Sequence, residues 1–67
     1  MELNNVQEKI IYVLEEARIT RTSMAGILGT LAQEQLDEYE FLEFISNKKD
    51  LTMKDCTNKL WDMRSYY

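Results

Sequence analysis

The chain has 67 residues, of which 45% are hydrophobic and 30% are charged, and its formal net charge is -4. This composition is too apolar for a disordered chain, and the length suits one domain with a small core. Proline is absent and only two glycines occur, so the turn residues typical of β-hairpins are missing. The sequence therefore predicts a single all-α domain over residues 1–67, folded as a compact bundle of four short helices.

The composition offers few side chains for catalysis. Histidine, the commonest general base and transition-metal ligand, is absent. The one cysteine, Cys56, falls on the apolar seam of a predicted helix, where burial raises the pKa of a thiol and makes it unreactive. Four short helices are also expected to leave no room for the cleft of several hundred cubic ångströms that small-molecule sites occupy. We therefore expect no enzymatic activity, no catalytic residue, no cofactor and no metal site.

Two features bear on the location of the protein. The longest apolar run, residues 10–14, is much shorter than the roughly 20 residues of a membrane-spanning helix. The first nine residues, MELNNVQEK, lack the basic segment and the apolar segment of a secretion signal. The expectation is a cytoplasmic protein that does not contact a membrane.

The first two predicted helices cover residues 4–17 and 21–31. In each helix the apolar residues return to one face, which is typical of an amphipathic helix. These residues are Leu3, Val6, Ile10, Val13 and Ala17 in the first helix, and Met24, Ile27, Leu28 and Leu31 in the second. Gly29 is followed by Thr30 and Gln33, which have the spacing of a capping box and predict a break near residues 29–32.

The last two predicted helices cover residues 33–46 and 52–65, on either side of a polar connector. Thr52 and Asp55 have the spacing of a capping box and mark the start of the fourth helix. The apolar residues of that helix are spaced three and four apart and form one seam, which consists of Met53, Cys56, Leu60, Met63 and Tyr67.

The third predicted helix contains the segment EQLDEYEFLEFI, whose apolar residues surround the helix. One stripe carries Leu36, Tyr39, Leu42 and Ile45, and a second stripe carries Phe41 and Phe44. Either the two phenylalanines pack under the fourth helix, or they form an exposed aromatic patch with a charged rim, as binding sites do. In the second interpretation the candidate partner-binding residues are Glu34, Asp37, Glu38, Glu40, Phe41, Glu43 and Phe44.

The charges of the chain are distributed unevenly. Residues 30–47 contain five acids and no base, whereas residues 48–67 contain five bases and three acids. The acidic segment is therefore expected to face either its own basic neighbour or a protein partner with a basic surface. Its carboxylates could mimic a nucleic-acid backbone, although a run of charge is more often a solvated face.

Trp61 forms a second candidate anchor together with Tyr66 and Tyr67. It lies about 100° from the apolar seam of the fourth helix. A large ring in that position is expected to cover the edge of a small core. The alternative is that it anchors a partner, because tryptophan and tyrosine are enriched at interface hot spots.

A helix-turn-helix DNA-binding regulator is the alternative function. Ala25 and Gly29 are four apart in a short helix that precedes a turn, as in that motif. The next helix would present carboxylates to phosphates, however, and the bases available to offset them are Arg18, Arg21, Lys48 and Lys49. Direct binding to nucleic acid is therefore not the expectation.

The order of elements carries a family resemblance. LEEARIT closes the first helix, AQEQL opens the acidic helix, and LTMKD opens the last one. In this order the chain resembles small uncharacterised all-helical proteins of bacteria and their phages. The resemblance transfers no site residue. It implies a cytosolic protein that binds a host protein stoichiometrically, such as an inhibitor of a nucleic-acid-handling complex of the anti-CRISPR type. We thus expect a protein–protein interaction module, with a homodimer included among the outcomes.

Overall fold

Four α-helices make up the secondary structure of residues 5–66, which are the residues that the computed structural model describes. They are α1 (Asn5–Glu16), α2 (Arg21–Gln33), α3 (Glu38–Ser46) and α4 (Met53–Tyr66). Helix α1 packs against α2 and α3, and α4 packs against α3 and α2. The all-α four-helix architecture that the sequence predicts is confirmed. No helix among the described residues is long and apolar enough to cross a membrane.

The end of α1 is a Schellman-type turn built without glycine. Arg18 adopts a left-handed conformation with φ 66°, and its N–H donates to the carbonyl of Glu15 at 3.0 Å. The N–H of Ile19 donates to the carbonyl of Leu14 at 2.7 Å, and the Ile19 side chain is buried. These bonds satisfy carbonyl groups that the helix end would leave unpaired.

The end of α2 repeats this turn. Gln35 has φ 56°, and its N–H donates to Ala32 at 3.2 Å. The N–H of Leu36 donates to Leu31 at 2.9 Å, and Leu36 is buried like Ile19. A non-glycine residue in this conformation costs roughly 1–2 kcal/mol. The burial of the aliphatic residue that follows it offsets that cost.

A polar cap begins each of the last three helices. The Thr20 hydroxyl accepts from the N–H of Ser23 at 3.2 Å, and the Asp37 carboxylate accepts from two N–H groups of α3. Thr52 and Asp55 bond reciprocally at 3.2 and 3.0 Å, so the predicted capping box is confirmed. The residue before each cap and the fourth residue after it are both buried, as in a hydrophobic staple; the pairs are Ile19 and Met24, Leu36 and Phe41, and Leu51 and Cys56.

Two predicted helix boundaries are wrong. Helix α2 continues through Gly29 to Gln33, and the Thr30 hydroxyl donates to the carbonyl of Gly26 within the helix instead of capping a new one. Helix α3 begins at Glu38 and not at residue 33. The left-handed turn at Gln35 ends the preceding helix, and the next N–H groups are capped by Asp37.

The core is one cluster of buried side chains drawn from all four helices and their connections. Its largest fully buried members include Phe41, Ile10, Leu14 and Leu31. Cys56 is also buried, and burial raises the pKa of its thiol to about 11. The thiol is therefore protonated at neutral pH, which agrees with its expected role as a small buried hydrophobe.

Candidate protein-binding surfaces

Phe41 is fully buried, so its expected place in an exposed patch is wrong. It is the fourth residue after the Asp37 cap, and it lies one turn before Ile45, which is also buried. Together they form the row of α3 that enters the core. Phe41 therefore contributes to stability and is not available to a partner.

Phe44 is half-buried, on the flank of α3 that faces α4. The ammonium groups of Lys48 and Lys59 lie 5.7 and 5.4 Å from its ring centroid. Cation–π contacts of this kind contribute about 0.5–1 kcal/mol at exposed sites. The ring is thus covered by the chain's own bases, which agrees with the interpretation that it packs under the fourth helix.

Three of the five candidate acids have structural roles. Glu34 Oε1 accepts from Arg64 Nε at 2.8 Å, and Glu40 lies 3.6 Å from the Lys59 ammonium. Asp37 caps α3. The acidic segment therefore faces its own basic neighbour, as one of the two sequence interpretations has it. Carboxylates near a helix N-terminus also favour the helix by about 0.3–1 kcal/mol each, which suits a helix of only nine residues.

The other two candidate acids, Glu38 and Glu43, form no ion pair with any residue of the described range 5–66. Glu43 is exposed and Glu38 is half-buried. Glu38 lies near Leu42, on the flank of α3 away from α4, whereas Glu43 is about 100° from both Leu42 and Phe44 and points to solvent, opposite the buried row of Phe41 and Ile45.

Trp61 is 61% exposed, so the expectation that it covers the core edge is wrong. At about 100° per residue, it points away from the side of α4 on which Cys56 and Met63 are buried. The Arg64 guanidinium lies 4.7 Å from the ring centroid and is itself held by Glu34. Tyr66 is 87% exposed on another side of α4, and Tyr67 lies outside the described residues.

The exposed side of α4 around Trp61 combines apolar and basic side chains without an acid. Its members fall within about one third of the helix circumference, and they are Met53, Lys54, Thr57, Trp61 and Arg64. This set is called the α4 face below. Sequence periodicity separates it from the buried seam but does not show that nothing in the chain covers it.

A groove of about 510 Å³ runs between α1 and α3. Its lining includes Glu8, Lys9, Tyr12 and Val13 from α1, and Leu42 and Ser46 from α3. It is called the α1–α3 groove below. The expectation that four short helices leave no room for a cleft of several hundred cubic ångströms is therefore wrong. The groove lies open between two helices, so it needs no enclosed interior.

Tyr12 is the most exposed apolar side chain of this groove, at 66%. It also lines a neighbouring depression of about 270 Å³ together with Ile11 and Glu15. Sequence reasoning did not select Tyr12. The available signal was its position off the apolar seam of α1, on the side opposite Ile10 and Leu14.

The two helices that form the α1–α3 groove carry more acids than bases. Lys9 is the sole base of α1 and α3 as the structure describes them, and ion pairs from α2 and α4 neutralise two of their six acids, Glu15 and Glu40. The acids of these two helices that form no ion pair with a described residue are Glu8, Glu16, Glu38 and Glu43. The groove thus has half-buried apolar side chains at its centre. Its acidic rim consists of Glu8, which lines it, and Glu38, which lies one turn before Leu42, and Lys9 is the one base in the lining.

The four bases that DNA binding would require do not form one unpaired basic surface. Arg21 Nε donates to Glu15 at 2.6 Å, and Lys48 pairs with Asp55 at 2.9 Å. Arg18 and Lys49 line one depression, but Glu16 and Asp50 line it as well. This arrangement does not favour contact with a phosphate backbone.

Within the described range, no three potential metal ligands of the types His, Cys, Asp and Glu form a cluster. Comparisons of the chain with family models, curated proteins and solved structures gave no significant match.

Proposed function

We propose that this chain is a protein–protein interaction module that acts by stoichiometric binding to its partner, and that the α1–α3 groove is its binding site. The carrying observation is an apolar groove whose acidic rim has no basic counterpart within the described residues beyond Lys9. The partner segment of matching chemistry is an amphipathic helix with an apolar stripe flanked by Lys or Arg.

The apolar part of the groove suits a helix. Val13 and Leu42 are half-buried and belong to neighbouring helices, so they leave a shallow channel between them. Tyr12 forms one wall. Amphipathic helices bind such channels by placing apolar residues of one face into them, and an aromatic wall adds contact area at a low entropy cost.

The acidic rim favours a basic partner. Glu8 lines the groove, and Glu38 lies one turn before Leu42, which lines it as well. Complementary charge of this kind increases association rates and rejects acidic partners. It also supports the form of the function that the family resemblance implies, since complexes that handle nucleic acids carry basic surfaces.

The test uses a fluorescein-labelled amphipathic peptide of leucine and lysine, with binding followed by fluorescence anisotropy. The wild type is expected to bind it, and a leucine and glutamate peptide of the same pattern is expected not to bind. Glu8→Lys should weaken binding by about two- to fivefold, the range for one exposed charge contact.

The matched control is Asp62→Lys, which changes the net charge equally but lies on α4. It should leave the affinity near that of the wild type. If both lysine variants weaken binding equally, the attraction is a property of total charge and not of the groove. If the two peptides bind equally well, the acidic rim selects nothing.

A further inference from the structure

We propose that the α1–α3 groove binds the α4 face of a second copy of this chain. The inference rests on the proposed function, because it requires the groove to be a protein-binding site. It names the partner helix from residues of the same molecule.

The α4 face has the composition that the groove selects. Met53 and Trp61 supply exposed apolar surface, at 41% and 61%. Lys54 supplies positive charge, whereas the charge of Arg64 is already paired with Glu34, and no acid of α4 falls within the same part of the circumference. The acids Glu8 and Glu38 of the groove's rim are the corresponding negative charges, so the two surfaces are complementary in both polarity and charge.

Trp61 is preorganised as an anchor. Arg64 stacks on its ring at 4.7 Å, and Glu34 fixes Arg64 through a 2.8 Å bond. A ring that is held in place before binding loses less conformational freedom when it is buried by a partner. Tryptophan and arginine are also the residue types most enriched at interface hot spots.

The position of the two surfaces requires two copies. The groove borders the Leu42 flank of α3, and α4 packs along the Phe44 flank, where Lys59 pairs with Glu40. Helix α3 therefore separates them, and a copy cannot place its own α4 face in its own groove. Each copy carries one surface of each kind, so association pairs unlike surfaces, as in head-to-tail assembly.

The experiment measures mass in solution by light scattering at low salt, over protein concentrations up to about 1 mM, the range in which weak association of about -4 kcal/mol is detected. Two variants each remove one surface. Tyr12→Lys alters the groove, and Trp61→Ala alters the α4 face; both residues are exposed, so circular dichroism should show intact folding. Tyr66→Ala is the matched aromatic control on α4.

The wild type and Tyr66→Ala are expected to gain mass with concentration, while each surface variant remains at the monomer mass. An equimolar mixture of Tyr12→Lys and Trp61→Ala should associate, because the mixture contains one intact groove and one intact α4 face. The mixed species should stop at two copies, since neither end can be extended.

Two results overturn the inference. A wild type that stays monomeric at the highest concentration shows that the surfaces do not bind each other. A wild type that associates while the mixture does not shows that one intact groove and one intact α4 face are not sufficient for binding. Binding of the leucine and lysine peptide to a monomeric wild type would leave the proposed function standing and remove this inference alone.

Discussion

The two flanks of α3 have similar sequence composition, but one is covered by the rest of the chain and the other borders an open groove. On one flank Phe44 is covered by two lysines and Glu40 has an ion-pair partner. On the other, Leu42 borders an open groove, and Glu38 has no ion pair among residues 5–66. The difference arises because most bases follow α3 in the chain and reach it from α4, whereas α1 carries only one base. An aromatic residue is thus a poorer guide to a binding surface than the charge of the helix beside it.

The strongest test concerns the row between the flanks. Phe41→Ala should destabilise the domain by about 3–5 kcal/mol, because it empties the centre of a small core. Urea unfolding followed by circular dichroism measures this loss, and a domain of this size can unfold outright. The exposed Tyr39→Ala serves as the comparison and should cost far less. A loss below about 1 kcal/mol for Phe41→Ala would contradict its place in the core.

The flanks themselves are separated by a pair of alanine substitutions. Phe44→Ala should cost about 1–2 kcal/mol of stability, since it removes half-buried apolar area and two cation–π contacts. It should leave peptide affinity unchanged. Leu42→Ala should cost about 1 kcal/mol of stability and also weaken peptide binding, because the side chain lines the groove. Equal effects of the two variants on binding would remove the distinction between the flanks.

The smallest effect is a pH dependence on the covered flank. The hydrogen bond from Lys48, together with bonds from Thr52, lowers the pKa of Asp55 below its usual 3.8. Because the folded pKa is the lower one, the Lys48–Asp55 pair stabilises the fold above pH 3.8, and this contribution is lost as pH falls below that value. Unfolding curves between neutral and strongly acidic pH should therefore differ less between wild type and Asp55→Asn as pH falls.

The matched control for that measurement is Asp62→Asn, since Asp62 lies on the same helix and forms no ion pair with a residue of the described range. Its difference from the wild type should not follow the same acid transition. An identical pH profile for both variants would mean that Lys48 does not stabilise the Asp55 carboxylate.

Much of the fold could be predicted from local sequence patterns. Helices α1 and α4 show regular apolar spacing, and the Thr52 cap has a recognisable partner in Asp55. The start of α3 could not be read in the same way, because its boundary depends on Gln35 in a conformation usually signalled by glycine. The usable signal is the pair of parallel segments LEEARIT and LAQEQLD, in which an aliphatic residue precedes a capping residue.

The candidate surface was harder to predict than the fold. Periodicity shows that α3 has apolar residues on several sides, but it does not show which side meets the core. Sequence reasoning therefore left open whether Phe41 and Phe44 form an exposed patch or pack inside, whereas the open surface carries Leu42 and Tyr12. Because the groove combines residues from two helices, it depends on their packing and has no signature within either segment.

The glycine-free turns also tie the helices together during opening and closing. Ile19 completes the end of α1 and the start of α2, and Leu36 does the same for α2 and α3. Pulling either side chain from the core releases two helix termini at once, so fraying at these points cannot stay confined to one helix. Amide hydrogens on both sides of each turn should therefore exchange with solvent through a shared opening, and the first three helices behave as a single cooperative unit.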